Sequence, residues 1–154
     1  MASRDLFPGA SDRSTYTHFT PVTLRFGDTD GMGHINNAVY ATLFESGRFA
    51  FFGGGFEQAK QTGRTFTLAK LSMNFVVELY FPGTVEVGSR LISVGKSSLG
   101  IGHAVFQGDK CHAVADSIIV LIDAEGRGST PLTDDILQVV EELRQSGAVG
   151  AVNK

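Results

Sequence analysis

Ten residues in the N-terminal third of the chain gather the groups that could do chemistry. The run Asp28-Thr29-Asp30-Gly31-Met32-Gly33-His34-Ile35-Asn36-Asn37 holds two carboxylates, an imidazole and two carboxamides. The apolar stretch behind it reads as a helix over 37–52, with Asn36 as its N-cap. The first N–H groups of a helix lack intrahelical acceptors and sit at the positive end of its dipole. They suit the oxyanion that develops on a carbonyl under attack, and Asp30 or His34 beside them would supply the nucleophile or general base. Gly31 and Gly33 let the backbone approach a ligand closely. The same composition also suits a plain turn, in which Asp28 or Asp30 closes an Asx-turn and Asn36 only caps the helix. A calcium loop fails, because Val39 stands at the final ligand position, where a bidentate Glu is required.

The elements that must hold this segment follow from periodicity. Val22, Leu24 and Phe26 alternate with Thr23 and Arg25, which predicts a half-buried strand within 19–26. The helix over 37–52 is apolar or small nearly all round (Val39, Tyr40, Leu43, Phe44, Phe51, with Ala41, Gly47 and Ala50 between), which predicts burial on most sides. Gly53-Gly54-Gly55 should end it, and 56–64 should be a connection. Leu71, Met73, Phe75, Val77, Leu79 and Phe81 then alternate with Ser72, Asn74, Glu78 and Tyr80, predicting one long strand up to Pro82-Gly83. Further strands are expected at 84–95, 97–107 and 110–123, the last two joined by a tight turn at Gly108-Asp109. Thr133 can cap a short C-terminal helix with Asp134 and Asp135 in its first turn and a stripe of Ile136, Val140 and Leu143. Wrapping an antiparallel sheet around the apolar helix buries both, so the fold class is α+β. The organisation expected is a loose arm over 1–18, one domain over 19–146 and a tail over 147–154.

With 154 residues, 42% hydrophobic and 19% charged, the chain suits one globular domain. A net charge of −3 offers no basic field for nucleic acid or an anionic membrane. The longest aliphatic run, 118–122, is too short for a bilayer, and the first fifteen residues carry no apolar signal core, so a cytoplasmic protein is expected. Cys111 stands alone and reads as an inert strand residue. His18, His34, His103 and His112 fall on separate elements without metal-ligand spacing, so no metal site is expected.

The stretch "VTLRFGDTDGMGHINNAVYATLFESGRFAFF" (22–52) resembles the opening of the 4-hydroxybenzoyl-CoA thioesterase family of hot-dog proteins. "FVVELYFPGTVEVG" (75–88) is similar to that family's second strand, proline-glycine corner and next strand, and "IDAEGRGSTPL" to its closing segment. The resemblance spans roughly residues 19 to 145. It implies a hot-dog fold, in which an antiparallel sheet wraps a central helix, and a homodimer or homotetramer with active sites at the interface. It implies hydrolysis of an acyl-CoA to free acid and CoA, with no cofactor beyond the coenzyme A of the substrate. Asp30 would be the catalytic nucleophile or general base, and the backbone N–H of Asn37 would polarise the carbonyl. His34 and Asn36 match positions in acyl-ACP thioesterases, which carry asparagine where this chain has Met32; His34 would be catalytic or a supporting hydrogen-bond partner. With Gly33 and Asn36 close to the substrate, Lys96, Ser97 and Ser98 would hold CoA, or else be a solvated strand start. Glu45 matches the helix acid of another hot-dog branch, or pairs with Arg48 at i,i+3. An acyl-ACP thioesterase and a non-catalytic acyl-CoA-binding module are the alternatives.

Overall fold

Five strands form one antiparallel sheet in the spatial order β1-β3-β4-β5-β2. They are β1 (His18–Thr23), β2 (Arg64–Phe75), β3 (Thr84–Val94), β4 (Ser98–Gln107) and β5 (Lys110–Asp123). A central helix α1 (Val39–Gln61) lies against one face and a second helix α2 (Asp134–Val152) packs beside it. The computed structural model describes residues 5–126 and 128–152, with side chains through Ser146. This is the hot-dog architecture that the sequence implied.

The three later strands lie where alternation put them, and Gly108 takes a φ of +61° at the first central position of the β4–β5 turn. β4 is buried continuously from Leu99 to Phe106 because both of its faces are covered. Val105 faces the cluster around Leu43 and Phe44 of α1, while Ala104 and Phe106 pack with Ala10 and Tyr16 on the opposite face. The described residues before β1, 5–17, are therefore no loose arm. The Tyr16 hydroxyl donates to the Ala10 carbonyl at 2.5 Å, and Arg13 pairs with Glu86 at 2.7 Å while lying 4.2 Å over the Phe19 ring.

Helix α1 departs from expectation in three ways. Its regular turns begin at Val39, two residues late, and they continue through the triple glycine to Gln61. The glycines absorb a kink at Phe52 (φ −111°, ψ 20°), whose ring occupies the space a Cβ on Gly55 would need. Each glycine costs a helix roughly 1 kcal/mol, but Phe51, Phe52, Phe56 and Ala59 continue the buried stripe against Ile136 and Val140 of α2, which outweighs that cost. The third departure is that α1 has a solvent face, with Thr42, Glu45, Ser46, Phe49 and Ala50 exposed. Helix α2 also runs past Ser146 into the stretch read as a tail, and the Thr133 hydroxyl is buried without a partner among the described residues rather than capping it.

Buried polar groups sit between α1 and the sheet. His103 is fully enclosed, with Nδ1 3.0 Å from the Ser89 hydroxyl and Nε2 3.3 Å from that of Ser117. Arg48 is also buried; it makes no ion pair with Glu45 among the described residues, and its Nη1 has no acceptor there. Burial, with Arg48 nearby, pushes the His103 imidazole down to about 3 from its ordinary 6.5. The lone Cys111 thiol is pushed up to about 11 by burial and stays protonated, in line with an inert strand residue.

Two outcomes follow. Between the ordinary His value of 6.5 and about 3, the unfolded chain binds a proton at His103 that the folded chain refuses. Stability must therefore fall as pH drops through that window, and urea midpoints should already decline between pH 6.5 and roughly pH 5, where carboxylates remain ionised. A flat midpoint there contradicts a neutral, buried His103. At Gly47 an added Cβ would lie 2.5 Å from Val87 Cγ1 and 3.2 Å from Ser89 Oγ, so Gly47→Ala should destabilise by about 1–3 kcal/mol in equilibrium unfolding.

Candidate active site

The acidic turn is built on Asp28. Its carboxylate is buried and takes the Arg25 backbone N–H at 2.8 Å on Oδ2 and the Arg25 guanidinium at 2.8 and 3.2 Å on Oδ1. These bonds hold the Asp28 carboxyl below the usual carboxylate range. Its carbonyl accepts the Asn36 N–H at 2.9 Å, so Asp28 pins both ends of the turn and leaves no oxygen for chemistry.

Asp30 is held differently. Its N–H donates to the His34 carbonyl at 2.8 Å, and Gly33 completes the reversal with a φ of +85°, a conformation that favours glycine. Oδ1 accepts the backbone N–H groups of Met32 (2.7 Å) and His34 (3.1 Å). Oδ2 makes no hydrogen bond among the described residues and lies 3.9 Å from His34 Nδ1. The Asx-turn and the reactive carboxylate therefore coexist in one side chain: one oxygen builds the turn and the other is left over.

The start of the helix supplies the second component. Asn36 Oδ1 caps the Ala38 N–H at 2.9 Å, and the carbonyls of Asn36 and Asn37 take the N–H groups of Val39 (2.9 Å) and Tyr40 (3.3 Å). The Asn37 N–H is passed over and has no acceptor among the described residues. Asp30, His34 and Asn37 line one cleft of ≈ 550 Å³ with Tyr40, Phe75 and Glu78.

The opposite wall corrects the strand reading. β2 starts earlier than alternation suggested, at Arg64, and ends at Phe75 rather than Phe81. The cause is His112 on β5: its carbonyl takes both the Val76 N–H (2.9 Å) and the Val77 N–H (3.3 Å), and its Nδ1 bonds the Glu78 carbonyl at 3.0 Å. Held this way, residues 76–80 swing out of the sheet to meet the acidic turn. The Ile35 N–H donates to the Leu79 carbonyl at 2.8 Å, and His34 bridges to Tyr80.

The structure thus brings Asp30, His34 and Asn37 together, with Gly33 and Asn36 shaping the backbone just behind them. It does not bring in Lys96, Ser97 and Ser98. Their carbonyls accept the N–H groups of Leu132, Leu121 and Gly95, at the far end of β3 from Thr84, roughly 30 Å along an eleven-residue strand. Glu45 is exposed on the outer face of α1, away from the cleft. Residues that sequence reasoning missed are Tyr40, Phe75, Glu78, Tyr80 and His112. Glu78 and Tyr80 were visible only as the polar side of an alternation, and the clamp at His112 depends on β5–β2 pairing that spacing does not encode.

Electrostatically, the cleft lining includes two carboxylates, Asp30 and Glu78, and no lysine or arginine. The Tyr40 hydroxyl is pushed up to about 12 by burial and by the Glu78 charge, so it stays protonated. Among the described residues no three His, Cys, Asp or Glu side chains cluster to hold a metal, and no helix is long and apolar enough to cross a membrane.

Known proteins are similar to this chain in sequence and fold. The model of the thioesterase-like superfamily matches residues 24–140. Betainyl-CoA thioesterase from Pseudomonas aeruginosa is 24% identical over 135 residues, which are 84% of each chain. A thioesterase from Thermus thermophilus, solved with coenzyme A and zinc, superposes with a TM-score of 0.75 at 26% identity over 85% of this chain and 96% of that one. The DHNA-CoA thioesterase of Staphylococcus aureus shares the fold with a TM-score of 0.75 at 17% identity, over 86% and 93% of the two chains. With a family model spanning most of its length and thioesterases among the proteins similar to it, this chain belongs to the thioesterase-like superfamily and is a thioester hydrolase of hot-dog fold.

Proposed function

We propose that the thioester cleaved is an acyl-CoA, released as free acid and CoA, and that Asp30 breaks the bond. The observation that carries this reading is the placing on one cleft of Asp30 Oδ2 and the Asn37 N–H, the one without a hydrogen bond and the other without an acceptor among the described residues. A thioester carbonyl oxygen placed on the Asn37 N–H gains a donor where negative charge develops. Asp30 Oδ2 then either attacks the carbonyl carbon, forming an anhydride that water hydrolyses, or takes a proton from a water that attacks. In both routes the C–S bond breaks and CoA leaves as a thiolate that picks up a proton. This is the arrangement of the 4-hydroxybenzoyl-CoA thioesterase family carried onto these residues.

Lys96, Ser97 and Ser98 enter this reading from a second protomer, since their own cleft lies at the other end of the sheet. A homodimer or homotetramer belongs to the same proposal, and the position of β2 at one end of the strand order, with Leu68 exposed on it, supports it.

A specific observation also bears on the acyl group. A cleft with two carboxylates, the Tyr40–Phe75 ring pair at 5.1 Å and no lysine or arginine in its lining favours a cationic acyl group over an anionic one. The relative that carries the name betainyl-CoA thioesterase points the same way.

Three outcomes test the proposal. Asp30→Asn keeps an oxygen for the Met32 and His34 N–H groups but loses the carboxylate, so kcat on acyl-CoA should fall about a hundredfold or more with little change in melting temperature. Equal turnover by the variant would sink the mechanism. Asp28→Asn should do the reverse in emphasis, lowering the melting temperature through the weakened bonds to Arg25. In a substrate panel, betainyl-CoA should exceed its uncharged isostere 3,3-dimethylbutyryl-CoA in kcat/KM by roughly tenfold, and Glu78→Gln should shrink the ratio; a preference for the uncharged substrate contradicts the electrostatic reading.

A further inference from the structure

The geometry points to Tyr80 as a positioning residue: its hydroxyl fixes the proton of His34 on Nδ1, so that the imidazole presents an N–H donor to the reacting oxygen of Asp30. This rests on the reading of Asp30 as the reacting carboxylate, but its structural half stands without it.

His34 is held between two partners. Its Nε2 lies 3.0 Å from the Tyr80 hydroxyl, and its Nδ1 faces Asp30 Oδ2 at 3.9 Å. The two rings meet edge to face with centroids 4.9 Å apart and an interplanar angle of 67°, and an isolated antiparallel bridge ties the backbones of His34 and Tyr80. Position is therefore set at main-chain and side-chain level together. Tyr80 itself stands on the 76–80 segment that His112 pulls out of the sheet.

A neutral imidazole carries one N–H and one lone pair, and its neighbours decide which nitrogen has which. A lone pair on Nδ1 would face the Asp30 carboxylate and be repelled; an N–H there is attracted. The proton then belongs on Nδ1, and Nε2 must accept. The nearest donor for Nε2 is the Tyr80 hydroxyl, which can rotate to supply its hydrogen. Free imidazole side chains prefer the opposite tautomer, with the proton on Nε2, so this arrangement has to be imposed, and Tyr80 imposes it. The consequence for Asp30 is orientation. Oδ1 is tied by two backbone N–H groups, and the His34 Nδ1–H steadies Oδ2 without neutralising its charge. This matches the common use of an outer hydrogen bond to fix the tautomer of a working histidine.

The test pairs spectroscopy with kinetics. In long-range 1H–15N spectra at neutral pH, assigned with His34→Gln, wild-type His34 should show a protonated Nδ1 and a bare Nε2. Tyr80→Phe should move the population towards Nε2–H. Tyr80 is exposed, so this variant should fold with an unchanged melting temperature. On an acyl-CoA substrate, Tyr80→Phe should lower kcat about tenfold with KM unchanged, and should cost nothing further in a His34→Ala background. Wild-type His34 protonated on Nε2, a tautomer indifferent to Tyr80→Phe, or a kcat loss that persists in full without His34 would each overturn the proposal. If the wild type hydrolyses no acyl-CoA, the functional reading fails, while the nitrogen spectra still decide whether Tyr80 sets the tautomer.

Discussion

Everything at the candidate site depends on how closely α1 lies against the sheet. Gly47 leaves no room for even a methyl group against Val87, and Tyr40, Leu43, Phe44 and Phe51 on the same stripe are buried with it. Apolar burial of this kind, at about 1.5–3 kcal/mol for each large side chain, fixes the height and direction of the helix. Once the helix is fixed, so is its beginning. The chain cannot enter it without passing residues 28–38 across one end of the sheet, where the segment after β2 also emerges.

The pairing of polar groups then explains why that end is reactive. Asp28 and Asp30 are two residues apart and would look alike in a composition table. Asp28 commits both oxygens to Arg25 and is buried. Asp30 commits one oxygen to the turn and keeps the other. The helix start shows a matching leftover: Asn36 caps the Ala38 N–H, and the Asn37 N–H has no acceptor among the described residues. A donor and an acceptor left over on one cleft suit a substrate that brings an electrophilic carbon and a developing oxyanion. The buried Ser89–His103–Ser117 chain, by contrast, satisfies its own groups and is closed to solvent.

The sheet was legible in the sequence wherever alternation meets a real register. β5 spans Lys110–Asp123 as the pattern suggested, and β3 and β4 agree within a residue. The failures have physical causes. Val77, Leu79 and Phe81 keep the period of a strand after the strand has ended, because Leu79 is buried in the core from a segment held by His112 rather than by a neighbouring strand. The triple glycine has the look of a stop signal, yet packing of Phe52, Phe56 and Ala59 carries the helix through it. The Asp30, His34 and Asn37 grouping was legible because it is local in sequence. Tyr80 and His112 were not, since their roles come from pairing across 46 residues to His34 and 34 residues to Glu78.

A thioester carbonyl docked between Asp30 and Asn37 is the central claim. A crystal structure of the Asp30→Asn variant with an acyl-CoA analogue, its sulfur replaced by methylene so that the carbonyl survives as a ketone, tests it most directly. The ketone oxygen is predicted to lie within hydrogen-bond distance of the Asn37 N–H, about 3 Å, with the residue 30 side chain against the carbonyl carbon. An acyl group seated elsewhere, with the Asn37 N–H still without an acceptor, would contradict it.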